Sequence, residues 1–239
     1  MGGDGTLRET VAALVDIPEP PPVFVVPAGR GNSVYRHLYG EREWRAVARD
    51  LADGFETTPL DVGAVTAEPA LAERYFVLGF TAGLFRSAVE HAGALAVLPG
   101  RLAYVLGTAR AVLGDDPVTA TVTVDDEELF AGAARLVAVG GGRYRGSDFE
   151  LFPDSRPGDG RLHAVVVEPV GLRESVGLVR RARAGRLGDH PAVRYATGER
   201  VTVASETGLP VEMDGTVLPA VERAEVQLVS EPPHYAHSV

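Results

Sequence analysis

Apolar positions recur at helical spacing from Leu7 to Val15, stop at the proline-rich stretch Pro18 to Pro22, and give way to the unbroken apolar run Val23 to Val26. The pattern predicts a helix, a break and a short strand. A helix follows from Ser33, placed as its cap, through Leu38. Another covers about Glu43 to Gly54, with Trp44, Val47, Ala48 and Leu51 on one face, and Leu60 to Gly63 is extended. Helix and strand signals alternating with glycine turns predict a partial doubly wound α/β domain over residues 1–64.

From about Arg74 the period shortens to two. Tyr75 to Leu78 reads as a strand and Gly79 to Gly83 as a turn. Leu84 to Ala96 and Arg101 to Leu113 read as helices separated by Pro99 and Gly100. Strands are predicted at Val118–Val124, Leu129–Val139, Arg161–Val167, Val201–Ala204, Pro210–Met213 and Ala224–Val229. Consecutive strands joined by short turns predict an antiparallel β-sandwich or barrel over 65–227, carrying a helical insertion. The tail, 228–239, is expected to be disordered or to return to the first domain.

Composition narrows the chemistry. The 239 residues are 45% hydrophobic, enough for a sizeable core, and no apolar run reaches the ~20 residues of a membrane span. With no cysteine there is no disulfide, thiolate nucleophile or cysteine-held zinc. All 23 basic residues are arginine, which excludes a Walker lysine and a Schiff base, so any phosphate gripped by a side chain is gripped by arginine. A net charge of −10 argues against nucleic acid as a partner. The opening residues hold no basic region or apolar signal core, and the expected location is cytoplasmic.

Two glycine turns carry the candidate chemistry. Gly2, Gly3, Asp4, Gly5 and Thr6 precede the first helix. Glycines let backbone amides approach phosphate oxygens, Asp4 is an oxygen ligand for Mg²⁺, and the helix offers its positive end. By itself this segment reads equally well as a plain glycine turn. The second turn, Pro27-Ala28-Gly29-Arg30-Gly31-Asn32-Ser33, follows a strand at the spacing of one βα unit, which puts both turns at one edge of one sheet.

Gly-Gly-Asp-Gly-Thr, then a strand and a Pro-x-Gly-x-Gly-Asn turn, resembles the diacylglycerol kinase catalytic-domain family, which includes sphingosine kinases and bacterial lipid kinases. The likeness continues in order through Leu60–Gly63, Tyr75–Phe85 and Gly100–Tyr104. It runs on through the glycine-rich stretch from Gly140 with Pro153-Asp154-Ser155 and Asp159-Gly160-Arg161-Leu162, and ends in Glu206-Thr207, Pro210 and Asp214-Gly215. The resemblance implies an ATP- and Mg²⁺-dependent lipid kinase acting on a hydroxyl of diacylglycerol or a similar lipid alcohol. Gly2 to Thr6 with Gly29, Arg30, Gly31 and Asn32 would line the nucleotide, Asp4 would lie nearest the catalytic metal, and Asp61 would support that metal through water. A second, structural Mg²⁺ would lie on Asp159 and the carbonyls of Leu162 and Ala164, although Asp-Gly also reads as a hairpin turn. The lipid tail would enter the second domain near Phe80, Leu84, Phe85 and Leu106. Expected partners are therefore the lipid substrate and, peripherally during catalysis, a membrane surface, with a homodimer left open.

Departures from the family pattern shift the reading. The family's catalytic base is the glutamate of Asp-Gly-Glu; here that position is Thr216, which cannot accept the proton at its ordinary pKa. Either Glu212 or Asp214 substitutes, or water does, or the chain is a poor kinase. Arg30 stands where the family has threonine, and the family's segment preceding Gly-Gly-Asp-Gly-Thr is missing, so a truncated start or a degenerate relative is expected. The alternatives are a non-catalytic lipid-binding or regulatory relative and a soluble-substrate kinase akin to NAD or polyphosphate kinases. The six dispersed histidines form no metal pair, and Ser33, Ser87 and Ser205 sit in no nucleophile elbow. The cluster Arg180, Arg181, Arg183 and Arg186 reads as a solvated helix face or a contact to anionic headgroups.

Overall fold

A computed structural model describes residues 1–29, 31–69, 71–94, 110, 116–145 and 149–238. The expected helix at Arg101–Leu113, the Gly100–Tyr104 match, Arg30, Leu106 and Gly146–Asp148 lie outside the described residues, apart from Arg110.

The first layer holds helices α1 (Asp4–Leu14), α2 (Ser33–Tyr39) and α3 (Trp44–Asp53). Between α1 and α2 the run Val23–Val26, expected as a strand, joins no sheet: Val23 makes an isolated parallel bridge to Tyr235, and Pro27 just after the run makes another to Gly2. Strand β1 (Glu56–Pro59) pairs antiparallel with the last strand of the chain. Leu7, Val11, Val25, Val34, Tyr39, Val47 and Tyr235 form the core of this layer, the apolar stripes of its three helices turned toward one another.

The rest is a sandwich of two six-stranded antiparallel sheets, with β8 (Tyr144–Arg145) and β9 (Phe149–Glu150) paired apart from them. One sheet contains β2 (Gly63–Glu68), β3 (Leu71–Phe76), β5 (Val118–Val124), β6 (Glu127–Ala134), β12 (Arg200–Leu209) and β15 (Val221–Leu228), in the order β3-β2-β15-β12-β5-β6. The other contains β4 (Phe80–Gly83), β7 (Leu136–Gly140), β10 (Leu162–Val167), β11 (Val193–Gly198), β13 (Val211–Met213) and β14 (Thr216–Val217), in the order β11-β10-β7-β4-β13-β14. Their facing side chains, among them Val122, Val137, Val139, Val166, Val203 and Val226, are buried together, as two packed sheets require. Helix α4 (Leu84–Ala94), through Phe85, and helix α5 (Leu172–Arg183), through Leu178 and Ala182, cover the outer face of the second sheet over Leu136, Ala138 and Val165.

Two further expectations need correction. Leu129–Val139 is not one strand: it breaks at Arg135, where the chain crosses from the first sheet (β6) to the second (β7). Periodicity alone cannot see this, because both halves are apolar. Phe80–Gly83, expected as a turn, is the buried strand β4, paired to β7 and β13 on its two edges.

Candidate functional site

The two glycine turns lie side by side. The Gly2 amide donates to Val26 O at 3.2 Å and the Ala28 amide to Gly2 O at 3.0 Å, so the turns are stitched by backbone hydrogen bonds. They touch at Gly3 and Gly29, where a Cβ on Gly3 would stand 2.9 Å from Gly29 Cα, so neither position admits a side chain without displacement. Asn32 closes the second turn in a left-handed conformation (φ 51°), its amide side chain exchanging two hydrogen bonds with Gly29 at 2.8 and 2.9 Å.

The helix N-termini here differ. The Asp4 carboxylate accepts from the amides of Ser33 (3.1 Å) and Val34 (3.0 Å), capping α2. Helix α1 has Gly3 as its N-cap and no side-chain cap, so its first-turn amides take no hydrogen bond from a capping side chain. A Cβ on Gly5 would meet nothing within 4 Å. An uncapped helix start with room in front of it suits an anion, and this is the fit between the residues present and a nucleotide phosphate. Asp4, the one carboxylate within the two turns, would hold Mg²⁺ beside those phosphates, where the cation neutralises charge.

The hairpin that would supply the base closes through Asp214 and Gly215, both with positive φ (47° and 83°), the geometry an Asp-Gly turn accommodates. Thr216 begins its second leg, exposed, and its Oγ1 accepts from Arg8 of α1 at 2.8 Å; Arg8 also reaches Met213 O at 3.4 Å. The structure thus brings Thr216 against the helix that starts at the first glycine turn. Asp214 and Glu212, the candidate substitutes for the missing base, are not available to a substrate. Asp214 accepts from the amides of Val77 (2.8 Å), Leu78 (3.0 Å) and Gly79 (2.9 Å) with its side chain wholly buried. Burial pushes its carboxyl up, against the pull of Arg145 and the three amides. Glu212 accepts from Thr81 Oγ1 (2.7 Å), the Gly215 amide (2.8 Å) and Arg145. Both acids therefore brace the hairpin around the buried Arg145, whose importance no sequence motif announced.

Asp61 and Asp159 stand at the junction of the layers. Asp61 accepts from the amides of Gly158 (2.7 Å) and Gly160 (3.0 Å), tying the turn before β10 to the first layer. Burial, and then neighbouring Asp159, push its carboxyl up to about 6. His37, on α2, lines a small pocket with Asp61, Gly141 and Gly158, and burial holds its ring down to about 4. Asp159 binds the amides of Arg156 and Arg161 (both 3.0 Å) and His163 Nε2 (2.9 Å). Ala164 is paired on both edges, to Ala196 and Val139, while Leu162 is paired to Gly198. β10 is flanked on both sides at Ala164 and on one side at Leu162, so a cation at Asp159, Leu162 and Ala164 would share Asp159 with His163 and the Ala164 carbonyl with the sheet.

A second, larger apolar pocket opens on the outer face of the second sheet, between Leu84, Phe85, Leu136, Phe149, Leu178 and Val179. Of the residues expected around a lipid tail, Leu84 and Phe85 line it; Phe80 points into the sandwich core instead, 1% exposed. Thr216, Met213, Phe80 and Val139 form one row across the sheet, and Gly83 and Leu136 the row three residues, or about 10 Å, further along. The cavity opens at this second row.

Residues 1–65 match the diacylglycerol kinase catalytic domain and residues 80–230 match the YegS C-terminal NAD kinase beta sandwich-like domain. The diacylglycerol kinase of Staphylococcus epidermidis strain RP62A is 28% identical over 215 residues, 90% of this chain; that of Staphylococcus aureus strain Newman is 27% identical over 220 residues. This chain spans 66% of the length of each. A diacylglycerol kinase from Bacillus anthracis strain Sterne shares the fold at a TM-score of 0.67 and 16% identity, over 98% of this chain and 74% of that one. Yeast NADH kinase shares it at 0.55 and 9%, over 100% and 60%.

Proposed function

The chain belongs to the diacylglycerol kinase catalytic-domain family, and on that premise we propose that it binds ATP·Mg²⁺ at the paired glycine turns and phosphorylates the hydroxyl of a diacylglycerol-like lipid. The observation that carries this reading is the meeting of three features at one place: the Gly3–Gly29 contact, the uncapped start of α1, and Thr216 held against Arg8 of the same helix. The α1 amides orient the phosphates, Arg8 adds a positive charge beside the hydroxyl's approach, and the bracing of Asp214 and Glu212 fixes position 216 in space. Phosphoryl transfer depends mainly on such positioning and charge neutralisation. The apolar cavity suits an acyl chain, which favours a lipid over a soluble nucleotide as acceptor.

Thr216 favours a second reading, a lipid-binding relative with little catalysis, because no carboxylate stands where a proton must be removed. One experiment separates the two. Purified chain is incubated with Mg-ATP and diacylglycerol and assayed for phosphatidate, alongside Thr216→Glu. The kinase reading expects weak activity from the native chain, raised 10²- to 10⁴-fold by the new carboxylate, the usual worth of a positioned base. Failure of either protein to bind Mg-ATP overturns both the site and the activity assigned to it.

A further inference from the structure

Helix α5 is amphipathic in an unusual sense: its outward face is both apolar and basic. At 100° per residue, Leu172, Arg173, Val176, Arg180 and Arg183 fall within about 100° of one another, opposite the buried Leu178 and Ala182. Leu172 is 59% and Val176 47% exposed, two of the few large apolar side chains left in water. Residues 172–190 carry five arginines against Glu174 and Asp189, in a chain whose net charge is −10. Glu174 is used in capping the helix at Gly171, and Asp189 faces Arg181. Among the described residues no carboxylate lies within ion-pair distance of Arg173, Arg180 or Arg186. The opposite side of the same helix, through Ser175, Leu178, Val179 and Ala182, forms one wall of the apolar pocket.

From this arrangement we infer that the outward face of α5 is a docking surface for an anionic lipid bilayer. Leu172 and Val176 enter the headgroup boundary, the arginines take lipid phosphates, and the helix lies along the surface so that the cavity behind it opens toward the acyl region. Charge selects the partner: a basic island on an acidic molecule is attracted to an anionic surface while the rest of the chain is repelled, which fixes one orientation. The exposed leucine and valine separate a bilayer from a soluble polyanion, since only the bilayer rewards their burial. The inference extends the lipid-kinase reading to the surface that meets the substrate's membrane, and its test uses no nucleotide, so the two can fail separately.

The test is vesicle flotation of the full chain at 0.1 M salt. Phosphatidylglycerol–phosphatidylcholine vesicles should carry the protein up the gradient, and pure phosphatidylcholine should carry much less. Arg173→Gln with Arg180→Gln should weaken binding roughly 30-fold, at about fivefold per arginine. Leu172→Gln with Val176→Gln should weaken it about tenfold or more, while leaving binding to soluble polyglutamate unchanged. All four positions are exposed, and thermal melts confirm the variants' folding. Flotation absent from anionic vesicles, flotation undiminished in both double variants, or equal affinity for polyglutamate each overturns the proposal.

Discussion

Gly5 separates two roles that glycines in a nucleotide turn usually confound. Its Cα faces empty space inside the first turn of α1, where a methyl group meets no atom of the protein. Gly5→Ala is therefore expected to hold or raise stability by up to about 0.5 kcal/mol, since alanine restricts the unfolded chain, while lowering ATP affinity because the methyl occupies the phosphate's space. Thermal melts and calorimetric titration with Mg-ATP check both halves. Arg145 is the opposite case, a buried side chain whose part is in folding. Its guanidinium is enclosed between Glu212 and Asp214, and Arg145→Met would leave two buried carboxylates without their cation. Urea denaturation should show a loss of about 3–5 kcal/mol. The glycines were legible in sequence because backbone approach to an anion demands that residue type. Arg145 was not, because its value comes from two acids 67 and 69 positions away that only the folded hairpin brings near.

Short elements carry most of the site, and their ends matter more than their middles. Helix α2 was predicted from Ser33 as cap, yet the cap is the carboxylate of Asp4, reached through the pairing of the two turns. A cap supplied from 29 residues away leaves no local signature. The same helix carries His37 into the junction cavity, facing Asp61, Asp159, His163 and Arg143 from the elements packed around it. His37 is held down to about 4 from 6.5, so the unfolded chain binds its proton first and stability falls as pH drops through that interval. Asp61 is pushed up to about 6 from 3.8, so the folded chain binds its proton first and this contribution is lost as pH rises from about 4 to 6. The two displacements are each worth about 3 kcal/mol and oppose one another. His37→Gln removes the first. Between pH 7 and pH 4 the stability of the variant relative to the native chain should shift by about 3 kcal/mol in the variant's favour, measured by denaturant unfolding at each pH.

At the scale of the whole molecule, the last ten residues hold the first layer together. The tail was expected to be disordered or to return; it forms strand β16 (His234–His237), antiparallel to β1, while its other side engages Val23. Val23 donates to His234 O at 2.8 Å, Ala236 donates back to Val23 O at 3.0 Å, and Leu60 donates to Pro233 O at 2.9 Å. Tyr235 is buried among Tyr39 and the layer's core, and Tyr39 Oη donates to Ala236 O at 2.9 Å. Proline-rich composition concealed this, because the prolines precede the strand and occupy positions that need no amide donor. The sandwich was legible as a class, since period-two apolar runs survive in any sheet order, but which strand lies beside which depends on contacts between distant segments. Because β16 supplies backbone partners to both Val23 and β1, deleting residues 230–239 should unfold the glycine-turn layer while the sandwich, whose core contains none of these residues, stays folded. Hydrogen exchange would then show amides of α1 and α2 exchanging freely while those of β7, β10 and β12 remain protected, with Mg-ATP binding abolished. Uniform loss of protection would mean that the two layers unfold as one cooperative unit, with the Asp61 clamp on Gly158 and Gly160 coupling them.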